Sequence, residues 1–178
     1  GKSNFNVANR WSSKKVKGVG SVYLIDQRKH KQYKNGNIGY LWRIDSGDGR
    51  YYLSGAALSA VLGAMCSLGY AEYTGSGFSC KDGSPGDSVS HLNGENGDFR
   101  YIAINNRHMN ELTYTSHKHF DWDKNVGFLN ALYKFGYKLF GSNPVKIKEN
   151  KLLPHSKSWS GHNNHVHLHN FNPNLEDI

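Results

Sequence analysis

The chain is poor in residues that interrupt or staple a fold, with 4 prolines and 2 cysteines in 178 residues. Set against 20 glycines, 8 Phe, 11 Tyr and 4 Trp, so little proline points to a sheet-containing, loop-rich protein rather than a helical bundle. Cys66 and Cys80 can close one short loop. A disulfide between them is the expectation, worth about 3 kcal/mol in the chain-entropy treatment, and a single bond would not fix the redox compartment. No apolar run approaches the roughly 20 residues that cross a bilayer, which excludes a membrane-spanning helix. The longest, around Ala56 to Leu68, is broken by Ser59 and Gly63 and reads as a buried helix. Acidic residues are also scarce: 14 Asp and Glu face 22 Lys and Arg, a net charge of +8. Much of the excess lies near the N-terminus, from Arg10 through Lys14, Lys15 and Lys17 to Lys34. That charge suits nucleic acid, anionic lipid or anionic cell wall without choosing among them.

No repeat and no long linker divides the chain, so the expectation is one domain over residues 1–178 with a core large enough to fold alone. Val19 to Asp26 and Ile38 to Ile44 are rich in β-branched and aromatic residues and read as strands. Leu53 to Leu68 reads as a helix, with Ser54 as N-cap and Gly69 as its stop. Tyr73 to Ser90, dense in Gly, Ser and Asp, reads as an exposed loop leading to His91. Phe99 to Ile104 is a strand candidate. Asp121 to Phe135 is a second helix, capped by Asp121 or Asp123 and ended by Gly136. Tyr137 to Phe140 and Pro144 to Ile147 read as short strands, and the tail as a final one. Strands and helices without regular alternation favour an α+β fold with a central antiparallel sheet and flanking helices.

That tail, Gly161-His162-Asn163-Asn164-His165-Val166-His167-Leu168-His169, carries four histidines within eight residues. Imidazole is the commonest protein ligand for transition metals and a usual general base near neutral pH. In a strand, side chains alternate faces, so His165, His167 and His169 point the same way. A catalytic zinc needs about three protein ligands and an open position. Partners for the tail lie in Ser90-His91-Leu92-Asn93-Gly94-Glu95-Asn96-Gly97-Asp98, where two glycines let a loop fold back around an ion.

His-x2-Gly-x3-Asp followed by His-x2-His-x-His resembles the LAS group of zinc peptidases, which includes lysostaphin-type enzymes, D-alanyl-D-alanine peptidases and the hedgehog signalling domain. The tail is most similar to the penicillin-insensitive murein endopeptidases. The likeness covers about residues 88–169, and residues 1–70 take no part in it. It implies a LAS-type catalytic core at 86–170, preceded by N-terminal strands and a helix at 1–85. It further implies one zinc ion held by His91, Asp98 and His167, with His165 as catalytic base and His162 as a second catalytic histidine. Three positions depart: Val89 and Gly97 occupy places where the group often has Ser and another small residue, and Asn96 stands where Ala is usual.

Two neutral imidazoles and one carboxylate leave a zinc site near +1, able to polarise a carbonyl and acidify water. The implied activity is hydrolysis of peptidoglycan cross-links by a D,D-endopeptidase. Its implied setting is periplasmic or secreted, including the toxic domain of an antibacterial effector with an immunity protein as partner. Gly1-Lys2-Ser3-Asn4 carries no secretory signal and reads as the start of a processed chain. Two alternatives stay open. Gly161 to His165 with a basic chain loosely resembles a His-Asn-His nuclease site, although Asn170-Phe171-Asn172-Pro173 disfavours the helix such a site needs. A closed four-ligand zinc would instead mark a non-catalytic cell-wall-binding domain.

Other candidates are weaker. His117-Lys118-His119 repeats the His-x-His spacing in a stretch, Leu112 to Phe120, that could be a strand. His30, His108 and His155 lack a partner motif and read as surface residues. Trp159 is the expected cleft wall for substrate. Glu95, between the ligands, reads as a solvated loop residue or a proton-transfer aid.

Overall fold

A computed structural model of the chain describes residues 5–173. The fold is α+β, built from two sheets and two α-helices among the described residues. In chain order the elements are β1 (Asn6–Ser13), β2 (Val16–Asp26), β3 (Gln32–Asn35), β4 (Ile38–Ile44), β5 (Tyr52–Ser54), α1 (Gly55–Ser67) and β6 (Ala71–Gly77). They continue with β7 (Gly97–Arg100), α2 (Trp122–Lys134), β8 (Tyr137–Ser142), β9 (Ser156–Ser158) and β10 (His165–Phe171). β1, β2 and β5 form a small sheet; the large one has the order β3-β4-β6-β7-β10-β8-β9. The large sheet thus takes strands from both sides of residue 85.

Both helices start where the local chemistry directs. The Ser54 hydroxyl accepts the Ala57 N–H at 3.2 Å, and the Asp121 carboxylate accepts that of Lys124 at 3.1 Å, each satisfying an otherwise unpaired N-terminal donor. Gly69 and Gly136 follow the C-termini with positive φ of 77° and 125°. The helices pack on each other and on one face of the large sheet, where Phe99 and Val166 join Tyr73, Val61, Phe128 and Leu132 in a single core. Phe99 meets Phe128 edge-on at 5.2 Å between centroids. Each such fully buried side chain contributes roughly 1.5–3 kcal/mol. Strand alternation then fixes what lies behind: with Val166 and Leu168 in the core, His165, His167 and His169 face the side away from the helices.

Several expectations are corrected. The sheet is mixed, because β4 pairs parallel to β6 and β8 parallel to β9; α1 makes the long crossover that parallel neighbours require. Tyr73 to Ser90 is not all loop, since its start belongs to β6, and Tyr73 to Gly77 are buried. Its small residues permit close approach rather than a turn: a Cβ on Gly75 would lie 2.8 Å from the Trp42 indole nitrogen. The strand expected over Phe99–Ile104 begins earlier and stops at Arg100, giving way to a 3-10 segment over Ile104–Met109. Pro144–Ile147 holds only an isolated bridge at Val145 and a 3-10 turn, and Leu112–Phe120 contains turns rather than a strand. Cys66 and Cys80 are free thiols. Cys66 lies on α1 against the core, whereas the Cys80 sulfur lies beside Gly86, so each has its own surroundings. His108 is buried, not at the surface.

Candidate metal centre

β7 and β10 run antiparallel with His167 directly opposite Asp98. Phe99 anchors β7 in the core behind this pair, so Asp98 is presented on the far face beside His167. The third residue arrives differently. His91 lies on the loop between β6 and β7 and is 1% exposed. Glycines let that loop close tightly: a Cβ on Gly94 would fall 2.4 Å from the Ser54 nitrogen, and one on Gly97 the same distance from the Phe78 ring.

The three side chains converge. His167 Nδ1 lies 2.8 Å from Asp98 Oδ1, His91 Nε2 is 3.2 Å from the same oxygen, and the two nitrogens are 3.1 Å apart. The outward nitrogens are already engaged. His91 Nδ1 is 3.2 Å from the Phe78 carbonyl, and His167 Nε2 is 3.1 Å from the Ser90 hydroxyl. Arg50 Nη1 also lies 3.2 Å from His91 Nδ1, but a guanidinium only donates and a carbonyl only accepts, so one tautomer cannot serve both. The guanidinium is held by Asp48, which leaves the His91 proton to the buried Phe78 carbonyl. The Ser90 hydroxyl can accept or donate, so His167 can likewise donate outward; with both rings in that tautomer, three lone pairs face one another. That arrangement is repulsive by itself and is relieved by a cation between them, and outward hydrogen bonds of this kind orient metal-ligating histidines. His91, Asp98 and His167 could therefore hold a metal ion, their donor atoms all lying within 4.8 Å of one another. Burial alone would raise the Asp98 carboxyl, but in the other tautomer, with an N–H of each ring turned inward, hydrogen bonding to His167 and His91 holds it well below the usual carboxylate range.

The trio lies in an open cleft of about 380 Å³, whose walls include Arg50, Val89, Trp159, His162 and His165. His165 Nδ1 is tied to the Asn164 side-chain oxygen at 2.7 Å, and its Nε2 comes within 3.9 Å of Asp98 Oδ2. Burial pushes the His165 imidazole down to about 4, against the opposing pull of Asp98. His162 donates from Nδ1 to the Ser160 carbonyl at 2.9 Å, and its ring centre is 4.7 Å from that of His165. The loop carrying it is fixed from below, where the buried Tyr101 hydroxyl donates to the His162 carbonyl at 2.6 Å. Trp159 packs beside His167, 5.5 Å between ring centres.

All six site residues expected from the sequence thus line one cleft. His169 stands apart, its Nδ1 facing the Asn96 amide at 3.3 Å and its ring meeting Trp159. The rings of His117 and His119 lie 4.8 Å apart, tilted by 45°, and His119 lies 3.7 Å from Glu111, in a loop outside the cleft walls. Glu95 pairs with Arg10 at 3.3 Å rather than with the trio. Sequence reasoning missed Ser90, Arg50, Asn96, Asn164 and the Phe78 carbonyl. Ser90 and Asn164 adjoin His91 and His165 in the sequence, a signal that was present; Arg50 and Phe78 reach His91 only through the fold. No protein-family model and no curated protein matches the chain, so the likeness to the LAS group rests on its motif residues.

Proposed function

We propose that the chain is a zinc peptidase of the LAS type that hydrolyses the peptide cross-links of bacterial peptidoglycan, as a D,D-endopeptidase. The observation that carries the reading is the convergence of His91, Asp98 and His167 in an open cleft with two further histidines beside them. Two imidazole nitrogens and one carboxylate suit zinc better than magnesium or calcium, which prefer oxygen donors. Three protein ligands leave a coordination position open, as catalytic sites require. When bound, zinc would supply Lewis-acid polarisation of the scissile carbonyl and water acidified towards neutral pH.

The remaining steps belong to the chain's own residues. With Nδ1–H donated to Asn164, His165 turns the Nε2 lone pair towards Asp98 Oδ2 and takes a proton from the attacking water. His162, its Nδ1–H engaged by Ser160, has an Nε2 lone pair free to receive the proton that His165 removed and, as imidazolium, to pass it to the leaving amine. Trp159 forms the wall against which the muropeptide packs. The net charge of +8 suits an anionic cell wall, in a periplasmic or secreted setting. Deployment as an antibacterial effector would add an immunity protein as partner.

The test combines zinc analysis with two substrates. Purified protein is expected to hold one zinc and to convert cross-linked muropeptide dimers in sacculi to monomers, an activity lost in His167→Ala. Intact sacculi with digested DNA would overturn the reading in favour of a nuclease. Intact sacculi and DNA with one tightly held zinc would overturn it in favour of a binding domain.

A further inference from the structure

We propose that Asn93 is a positioning residue for the metal centre, acting by docking the His91 loop onto the N-terminal β1–β2 hairpin. The proposal rests on the metal reading above and assigns a role to a hairpin outside the likeness to the LAS group. Of the three ligands, Asp98 and His167 are placed by the β7–β10 ladder, whereas the backbone of His91 lies in a loop. Asn93 follows two residues later and is 5% exposed. Its φ of 59° is in the left-handed region that Asn tolerates better than most side chains.

Its amide pairs with Trp11 of β1 as a neighbouring strand would. The Trp11 N–H donates to Asn93 Oδ1 at 2.7 Å, and Asn93 Nδ2 donates to the Trp11 carbonyl at 2.8 Å. The Asn93 backbone N–H is held by the Gly83 carbonyl at 2.9 Å, and the next carbonyl, of Gly94, accepts from Ser54 of β5 at 3.0 Å. The turn after His91 is thus gripped by both outer strands of the small sheet, which shares no ladder with the sheet bearing Asp98 and His167. A second tie fixes the flank, the Trp11 indole N–H donating to the Asp82 carbonyl at 2.8 Å. By contrast, the Arg10–Glu95 ion pair is exposed, and such pairs contribute little.

The test measures zinc affinity by chelator competition on the full chain, together with the visible spectrum of the cobalt-substituted protein and the stability of the metal-free form. Asn93→Ala is expected to weaken zinc binding by about 10- to 100-fold, the range for residues that orient metal ligands, and to shift the cobalt spectrum. Asn93→Asp keeps the acceptor for the Trp11 N–H but sets a carboxylate oxygen against the Trp11 carbonyl, so it too should weaken zinc binding. Arg10→Ala should bind as wild type does. A folded Asn93→Ala with wild-type affinity and spectrum overturns the proposal and leaves the hairpin as packing alone. Should that variant fail to fold, wild-type affinity in Asn93→Asp overturns it equally. Wild-type protein that takes up no zinc refutes the metal reading itself, and with it this one.

Discussion

Gly141 faces His167 across the β8–β10 ladder, and its missing side chain makes room for Trp159. A methyl group there would meet Trp159 Cε3 at 2.1 Å and Cζ3 at 2.7 Å, well inside the roughly 3.5–4.0 Å at which carbons pack. The indole has little room to yield, with the rings of His162, His167 and His169 centred 5.6, 5.5 and 5.7 Å away. Overpacking of this kind costs about 1–3 kcal/mol, so Gly141→Ala should lower stability by about 2 kcal/mol and Tm by roughly 4–8 °C. The cause is isolated by repeating the substitution in Trp159→Ala. There the space is vacant, and alanine suits a strand better than glycine by about 0.5–1 kcal/mol, so the same change should be neutral or mildly stabilising. Denaturant melts of the four proteins give a coupling near 2.5 kcal/mol. An equal loss in both backgrounds would refute the reasoning, placing the strain elsewhere than at the cleft wall.

Asn125, on α2 and 1% exposed, accepts the Ile102 N–H at 3.0 Å and donates to the Ile102 carbonyl at 2.8 Å. Asn125→Ala strands the Ile102 N–H, while the Ile102 carbonyl keeps the Asp121 N–H at 3.0 Å, and should cost about 1–3 kcal/mol in denaturant melts; a loss under 1 kcal/mol would mean that water replaces the amide. His108 accepts the Ala103 N–H on Nδ1 and faces the Glu72 carbonyl with Nε2, which requires the neutral ring. Burial, with help from Lys124 and Arg43 and against the Glu72 carbonyl, lowers it from 6.5 to about 4. Above pH 6.5 the ring is neutral folded or unfolded, and stability is whole. Between pH 6.5 and 4 only the unfolded chain gains the proton, so stability falls with acidification, by at most about 3 kcal/mol, and levels off below. His108→Gln should flatten this part of the stability–pH curve, and identical slopes in the two proteins would sink the assignment.

Local signals were legible where local chemistry decides. Ser54 and Asp121 cap the helices as their hydroxyl and carboxylate predict, and Gly69 and Gly136 follow their ends. The alternation of Val166 and Leu168 with His165, His167 and His169 placed the imidazoles on one face. What failed to show depends on distant partners. Thr74, Gly75, Ser76 and Gly77 have loop composition, yet they form a buried strand because Trp42 and Arg50 lie against the glycines. β1 reads as polar because it is an edge strand, exposed along most of its length. His108 looked like a surface residue because nothing in its neighbourhood announces the Glu72 carbonyl, 36 positions away. Within the site, the motif supplied the three candidate ligands but not the groups around them, since Phe78 and Arg50 meet His91 only after folding.

The atoms that could hold a metal ion follow from how each residue reaches the centre. Residues directly opposite in an antiparallel pair have Cα atoms about 4.5–5.5 Å apart, so Asp98 and His167 need only short reach. Both use the atom carried on Cγ, Oδ1 and Nδ1, and these meet at 2.8 Å. His91 comes from the loop and uses the more distant Nε2, its Nδ1 turned back to Phe78. The freed Nε2 of His167 then points to Ser90, so adjacent residues of one loop hold a ligand's far edge and supply the next ligand. Ligand distance along the ladder is therefore set by side-chain length. Asp98→Glu keeps the charge but adds a carbon–carbon bond of about 1.5 Å, three times the tolerance of about 0.5 Å for a working site. On the proposed zinc reading it should weaken zinc binding by about 10- to 100-fold, measured by chelator competition, with the fold intact by circular dichroism. Zinc affinity within about threefold of wild type, well short of that loss, would show that the His91 loop follows the carboxylate and that the ladder does not set the distance.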